Sequence, residues 1–178
     1  MSSYSEIDAT RREQTLTALQ REQFDVLVIG DEAGFPFLET VDSALSSLFR
    51  RLDNGDHVRL VLPNPDLIFP KTDTGFGIAS GSIALMFEAA LQLRYPGRSD
   101  LSFDRLGKPY KAIFEEAFRR SGTKDMVMIG DQLETDIRGA NAFGIESVLV
   151  STGITPNRSE ILSESLRPSF YISPFFTK

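Results

Sequence analysis

The sequence predicts an α/β fold with a largely parallel sheet, and three observations carry that reading. Short β-branched runs alternate along the chain with longer segments whose apolar residues recur at helical spacing. Glycines and prolines cluster between these runs and at their ends. The 178 residues are 41% hydrophobic and 25% charged, enough to bury a real core at a length suited to one domain or two small ones.

Taken in order, the elements are these. Residues 10–22 carry Leu16 and Leu19 on a mostly polar surface and make a weak helix at best. "FDVLVIG", 24–30, reads as a buried strand: short, β-branched and closed by glycine. Val41, Ala44, Leu45, Leu48, Phe49 and Leu52 then share one face of a 3.6-residue period, so a helix is predicted over 38–53 with Gly55 as its stop. "VRLVL", 58–62, is the next strand. The stretch 63–80 holds Pro63, Pro65, Pro70, Gly75 and Gly77 and reads as a connecting loop. Ser82 is placed to cap a second helix, with Ile83, Met86, Phe87, Ala90 and Leu91 on one face and an end near Tyr95-Pro96-Gly97. A third helix follows Pro109, which suits a first helical position; Ile113, Phe114, Ala117 and Phe118 form its stripe and Gly122 its end. "MVMI", 126–129, is a strand, 133–143 a helix with Gly144 after it, and "SVLV", 147–150, a strand again. The tail "RPSFYISPFF" adds a last short strand between Pro168 and Pro174.

Composition excludes several functions. The formal net charge is −6 and the pI about 4.9, with no cluster of Lys and Arg to offset it, so the sequence argues against a nucleic-acid or anionic-membrane surface. There is no cysteine, which rules out disulfides, thiolate zinc sites and cysteine nucleophiles. The single histidine, His57, follows the turn signal Asn54-Gly55-Asp56 and reads as a solvated loop residue. No apolar run approaches the roughly 18 residues of a membrane span, and the polar opening lacks the apolar core of a secretory signal, so a cytoplasmic protein is expected. "TGFGIASGS", 74–82, is a poor dinucleotide loop, because Ser80 stands where a third glycine belongs and no apolar strand precedes it.

The chemistry gathers at strand ends. In open parallel sheets, ligands sit beyond the carboxyl ends of the strands, where loops and helix N-termini converge. Asp131 occupies such a position, rigidly held yet facing the crevice, as a Mg²⁺ site with retained waters requires. Asp136 falls in the first turn of the next helix, where the macrodipole favours an anion, within reach of a metal-bound water or a lysine. Lys108, between Gly107 and Pro109, presents its ammonium from a stiffened loop at a helix start, where it can neutralise a phosphoryl group and a neighbouring carboxylate. The plainer alternatives are that Asp131 opens a turn, Asp136 caps a helix and Lys108 is a solvated surface charge.

Together these segments are far more specific. "LGKP" before a helix, about twenty residues ahead of "MIGDQLETDIRGA", resembles the third and fourth motifs of haloacid dehalogenase (HAD) superfamily phosphatases. "LPNPDLIFP" followed by "GSIALMFEAA" looks like the subgroup with a large α/β cap, the NagD-like sugar-phosphate and nitrophenyl-phosphate phosphatases (type IIA). The likeness runs over about 24–152 and is densest over 106–140.

The resemblance implies a Rossmann-like HAD core with part of an α/β cap: residues 1–65 a partial cap, 66–178 the C-terminal half of the core. It implies a Mg²⁺-dependent hydrolase of a small phosphate monoester, acting through an aspartyl-phosphate. Lys108 would steady the nucleophile and the phosphoryl charge, Asp131 would bind Mg²⁺, and Asp136 would support the metal or the lysine. Asn64 and Asp66 would lie at the hinge between cap and core, near the substrate entrance, with a turn-forming role equally open to them.

One part of the pattern is missing. The family's reaction begins with an Asp-x-Asp pair at the end of the first core strand, and no such pair followed by glycine and threonine occurs in this sequence. "VLVIGDEAGF" is its only imitation, with Asp31 and Glu32 after a strand, but the helix and the "VRLVLPNPD" segment that follow match the end of the cap instead. The chain therefore reads as a truncated or inactive phosphatase. The alternatives are a non-catalytic phosphate-binding or protein-interaction module and one half of a split enzyme. A small phosphorylated metabolite is the implied ligand, and a homodimer or a chain supplying the missing half the implied partner.

Overall fold

The computed structural model describes residues 24–72, 74–150 and 163–172. The weak helix over 10–22 lies outside them. The chain divides into two compact units, Met1–Leu62 with Ile83–Asp104, and Pro63–Ser82 with Arg105–Lys178. The sequence reading draws a single boundary at residue 65. The structure instead groups 83–104 with the first unit, because the apolar side chains of that stretch belong to its core.

In the first unit, β1 (Val26–Val28) runs parallel to β2 (Arg59–Leu62), Leu27 opposite Leu60, and β5 (Asp104–Arg105) follows in the sheet order β1-β2-β5. Parallel neighbours need a crossover, and α1 (Phe37–Asp53) supplies it. Pro36 sets its start in an extended conformation, and Gly55, at φ 86°, turns the chain out after its end. The stripe read from the sequence is buried: Val41, Ala44, Leu48 and Leu52. They meet Leu27, Ile29, Leu60 and Leu62 from the strands and Ile83, Phe87 and Leu91 from α2 (Ser80–Arg94), closed by Leu101 and Phe103. Phe87 and Phe103 pack edge to face. β1 differs from the buried strand expected, for Val26 and Val28 are 47% and 53% exposed. Leu27 and Ile29, on the alternate positions, pack into the core with the helix side chains.

The second unit holds a hairpin where the sequence reading has only a loop. β3 (Ile68–Pro70) and β4 (Phe76–Ile78) pair antiparallel, Ile68 opposite Ile78. Three-residue strands carrying Pro70 and Gly77 give no readable alternation, and the pairing depends on a glycine: a Cβ on Gly77 would meet the Phe69 ring at 2.6 Å. Ser82 lies within α2 instead of capping it, and its Oγ donates to the Leu67 carbonyl at 2.6 Å.

The rest of this unit is the parallel sheet that the alternation predicts, in the order β6-β7-β8: Val127–Gly130, Glu146–Val150 and Phe170–Ile172. α3 (Lys111–Ser121) precedes β6 and ends on Gly122 in the left-handed region. Between β6 and β7 the sequence reading has one helix. The structure has a π turn over Leu133–Ile137 followed by α4 (Arg138–Phe143). Leu133, Ile137 and Leu149 form a small core, with Leu166 against it from the 3-10 turn Glu164–Leu166. On β6, Val127 and Ile129 stay 49% and 56% exposed, and β6 is an edge strand among the described residues. Among the same residues no helix is long and apolar enough to cross a membrane.

Leu48 has no exposed surface, whereas Leu38, on the same helix, is 64% exposed. Leu48→Ala should therefore lower unfolding free energy by about 2–5 kcal/mol. Leu38→Ala should change it by no more than about 0.5 kcal/mol. Urea denaturation followed by far-UV circular dichroism checks both.

Candidate active site

Three charged residues singled out in the sequence, Lys108, Asp131 and Asp136, meet at the carboxyl end of β6. Asp136 sits in the π turn, its side chain only 1% exposed, and both carboxylate oxygens are engaged. Oδ1 accepts from the Lys108 ammonium at 2.5 Å. Oδ2 accepts from the backbone N–H groups of Asp131 and Gln132 at 3.0 and 3.1 Å. A buried carboxylate is tolerable only with such partners, since an unpaired one costs several kcal/mol. Three donors meet that demand.

Glycine makes the approach possible. A Cβ on Gly130, the last residue of β6, would collide with the Asp136 carboxylate, so the strand must end without a side chain. The widened turn has a local cause as well: the Gln132 carbonyl accepts from both Asp136 N and Ile137 N. Asp136 can thus reach back over the strand end while Ile137 stays fully buried in the core.

Lys108 reaches Asp136 from the loop between β5 and α3, with its side chain 31% exposed. Its peptide bond to Pro109 is cis, and α3 begins at Lys111 with Tyr110 as its N-cap, two residues later than Pro109 suggests. Gly139 in α4 admits the Phe114 ring and Pro109, which packs the Lys108 loop and α3 onto the helix behind Asp136. The Lys108 loop is also packed from the other side. A Cβ on Gly107 would lie 2.5 Å from the Pro63 carbonyl and 2.6 Å from Pro65 Cδ.

That second contact brings in the segment containing Asn64 and Asp66. Asn64 Oδ1 accepts from the Asp66 N–H at 3.1 Å, a local turn, and the Asn64 carbonyl accepts from Ser80 Oγ at 3.1 Å. The Asp66 carbonyl accepts from Gly81 N at 3.0 Å, and Gly81 has no room for a side chain beneath Pro65 and Asp66. Asn64 is thus occupied in shaping the turn. The Asp66 carboxyl is different. Its pKa is raised, chiefly by burial, and it feels Lys108, Asp136 and Asp131. All four charged groups singled out in the sequence therefore share one neighbourhood in the second unit.

Two residues of the sequence reading, Asp136 and Asp31, are placed as follows. Asp136, read as supporting either metal or lysine, has its oxygens committed to Lys108 and to backbone donors, which makes it the anchor of the lysine. Asp31 follows β1 of the β1-β2-β5 sheet by three residues, whereas Asp131 follows β6 of the other sheet, and Asp31 Oδ1 accepts from Glu32 N at 2.8 Å. What the sequence reading missed is the glycine packing at 81, 107, 130 and 139. Its only signal was the glycine next to Lys108 and the glycine next to Asp131.

Residues 105–175 match the model of the HAD-hydrolase-like family. The chain is 39% identical over 66 residues to D-glycerol 3-phosphate phosphatase of Mycobacterium tuberculosis, a match covering 37% of this chain and 19% of that protein. It superposes on a possible sugar phosphatase of the HAD superfamily from Cytophaga hutchinsonii with TM-score 0.59 and 33% identity, over 74% of this chain and 44% of that one. A glycerol phosphate phosphatase from M. tuberculosis, solved in complex with magnesium, shares the fold at TM-score 0.57 and 22% identity, over 90% of this chain and 54% of that one. The chain spans about half the length of these structures, or less.

Removing the anchor tests this arrangement. Asp136→Ala would strand the lysine and two backbone donors at once and should cost about 3–5 kcal/mol of stability. Asp136→Asn, which keeps one acceptor, should cost less. Equilibrium unfolding of the two variants beside the wild type measures the difference.

Proposed function

From the match of residues 105–175 to the HAD-hydrolase-like family model, we propose that this chain grips the phosphoryl group of a small phosphate monoester, of the sugar or polyol phosphate kind, together with Mg²⁺. The observation that carries the reading is the Lys108–Asp136 pair beside Asp131 at the carboxyl end of a parallel strand. Lys108 is the cation paired with that buried acid, and an ammonium is the natural partner of a phosphoryl oxygen.

The residues present fit a magnesium ion. The donors are hard oxygens, and Asp66 Oδ1 is a buried oxygen with no hydrogen-bond partner among the described residues. Mg²⁺ commonly keeps several waters and takes one or two carboxylates, so the absence of a larger acidic group among the described residues is compatible with it. Asp131 would be the principal ligand. When bound, the ion would neutralise phosphoryl charge and polarise the phosphorus–oxygen bonds. Lys108 would hold one phosphoryl oxygen, Asp136 would hold Lys108, and the buried N–H groups of Asp131 and Gln132 would fix Asp136.

Turnover needs an attacking carboxylate, and none of the described strands ends in the Asp-x-Asp pair of the phosphatase family. We therefore read the chain on its own as a phosphoryl-binding unit with little or no hydrolytic activity, a cytoplasmic protein acting on a soluble metabolite. Hydrolysis would require a carboxylate supplied beside β6, whose edge, unpaired among the described residues, and half-exposed Val127 and Ile129 suit an added strand. The rival reading, a purely non-catalytic binding module, shares the same grip and differs only in lacking that partner.

Two measurements check the proposal. Calorimetric titration of inorganic phosphate in the presence of Mg²⁺ should detect binding, weakened at least about tenfold by Lys108→Ala, as befits loss of a charge-assisted contact. The purified chain should leave p-nitrophenyl phosphate unhydrolysed; robust Mg²⁺-dependent release of nitrophenol would refute the non-hydrolytic reading.

A further inference from the structure

We propose that the first unit carries a ligand site of its own: a recess in its apolar core that takes a small amine with an aromatic or branched aliphatic body. The inference does not rest on the phosphoryl reading, which concerns residues of the second unit.

A cavity of about 430 Å³ opens beside the carboxyl end of β1, and the residues lining it all belong to the first unit. Its walls are core side chains from three elements: Leu27 and Ile29 of β1, Val41 and Ala44 of α1, Ile83 and Phe87 of α2. All six are buried, so the hollow enters the core and is not a dip in the surface. Apolar cavities of roughly 150 Å³ take up small aromatic molecules, and sites for small molecules usually run from about 300 to 1,000 Å³. Water finds no hydrogen-bond partners on such walls, whereas an apolar body regains the dispersion contacts that a hollow forfeits.

The loop after β1 forms the rim. A Cβ on Gly30 or on Gly34 would meet no atom within 4 Å, so both glycines face open space. Gly34, at φ 84°, turns the chain into Phe35, which lines the cavity and stacks on Phe37 with ring centroids 6.2 Å apart. Phe87 is fixed by its edge-to-face contact with Phe103. Two anchored rings in the lining suit an aromatic guest.

Asp31 and Thr40 supply the polar side chains of the lining, and they set the head group. Asp31 is exposed and puts negative charge at the rim. The N-terminus of α1 would favour an anion, but Glu39 already stands in its first turn. A cation is therefore preferred at this mouth, and the Thr40 hydroxyl adds a hydrogen-bond acceptor.

The test uses the full 178-residue chain, which has no tryptophan, so the fluorescence anisotropy of a naphthyl ring reports binding directly. 1-Naphthylmethylamine should bind with a dissociation constant below about 1 mM. Its anionic counterpart, 1-naphthoate, should bind about threefold more weakly or worse, and Asp31→Asn should remove most of that difference. Ala44→Leu fills the hollow: it should weaken amine binding by about tenfold or more and raise the thermal midpoint, because a cavity is filled and a packed core is not overfilled. Ala44→Met repeats the measurement if the leucine variant loses its cooperative thermal transition. Leu38→Ala, on the exposed part of the same helix, should leave amine binding unchanged. Absence of amine binding, 1-naphthoate bound as tightly as the amine, unchanged binding in the Ala44 variants, or a lowered midpoint in both of them overturns the inference. None of these outcomes bears on the phosphoryl reading.

Discussion

A buried carboxylate is the constraint around which the second unit is organised. Asp136 is almost wholly removed from water, and the cost of that is offset only while Lys108 and two backbone N–H groups remain aimed at it. Those donors come from two separate pieces of chain. The lysine comes from the loop before α3, and the N–H groups from the end of β6. One side chain therefore fixes the strand end, the lysine loop and the π turn relative to one another. It also explains why β6 must end in glycine, since any larger residue would occupy the place of the carboxylate.

The same principle extends outward through backbone contacts. Gly139 brings Pro109 and Phe114 against α4, and Gly107 brings the lysine loop against Pro63 and Pro65. The turn at Asn64 and Asp66 is in turn seated on Gly81 at the start of α2. Close packing of this kind transmits position without any charge, because a well-packed interior resists small displacements. Lys108 is thus held electrostatically by Asp136, while its loop is fixed by packing at Gly107.

The two units bury apolar surface unevenly. The first has a continuous core of strand and helix side chains, whereas the core of the second is small: Leu133, Ile137 and Leu149, with Leu166 beside them. Parallel sheets are ordinarily covered on both faces. Ile129 of β6 and Phe170 of β8 flank Val148 in register, and with Val127 on the same face they stay about half exposed among the described residues. Val148 and Val150, on the central strand of that face, are buried.

By itself the sequence determined the alternation of strands and helices, the apolar stripe of α1 and the three charged residues that meet at the end of β6. Periodicity and helix-stop glycines are local signals, and local signals survive without a structure. The β3–β4 hairpin was not legible, because three-residue strands carrying Pro70 and Gly77 have no period to read. Nor was the π turn, since its cause is a hydrogen-bonded carboxylate and not a pattern of residues. Only the tertiary structure decided that Asp136 anchors Lys108, that residues 83–104 pack with the first unit, and that Asp31 follows a strand of a different sheet from the one before Asp131. Those outcomes depend on which surfaces meet across tens of residues of chain, and no property of a short segment encodes that.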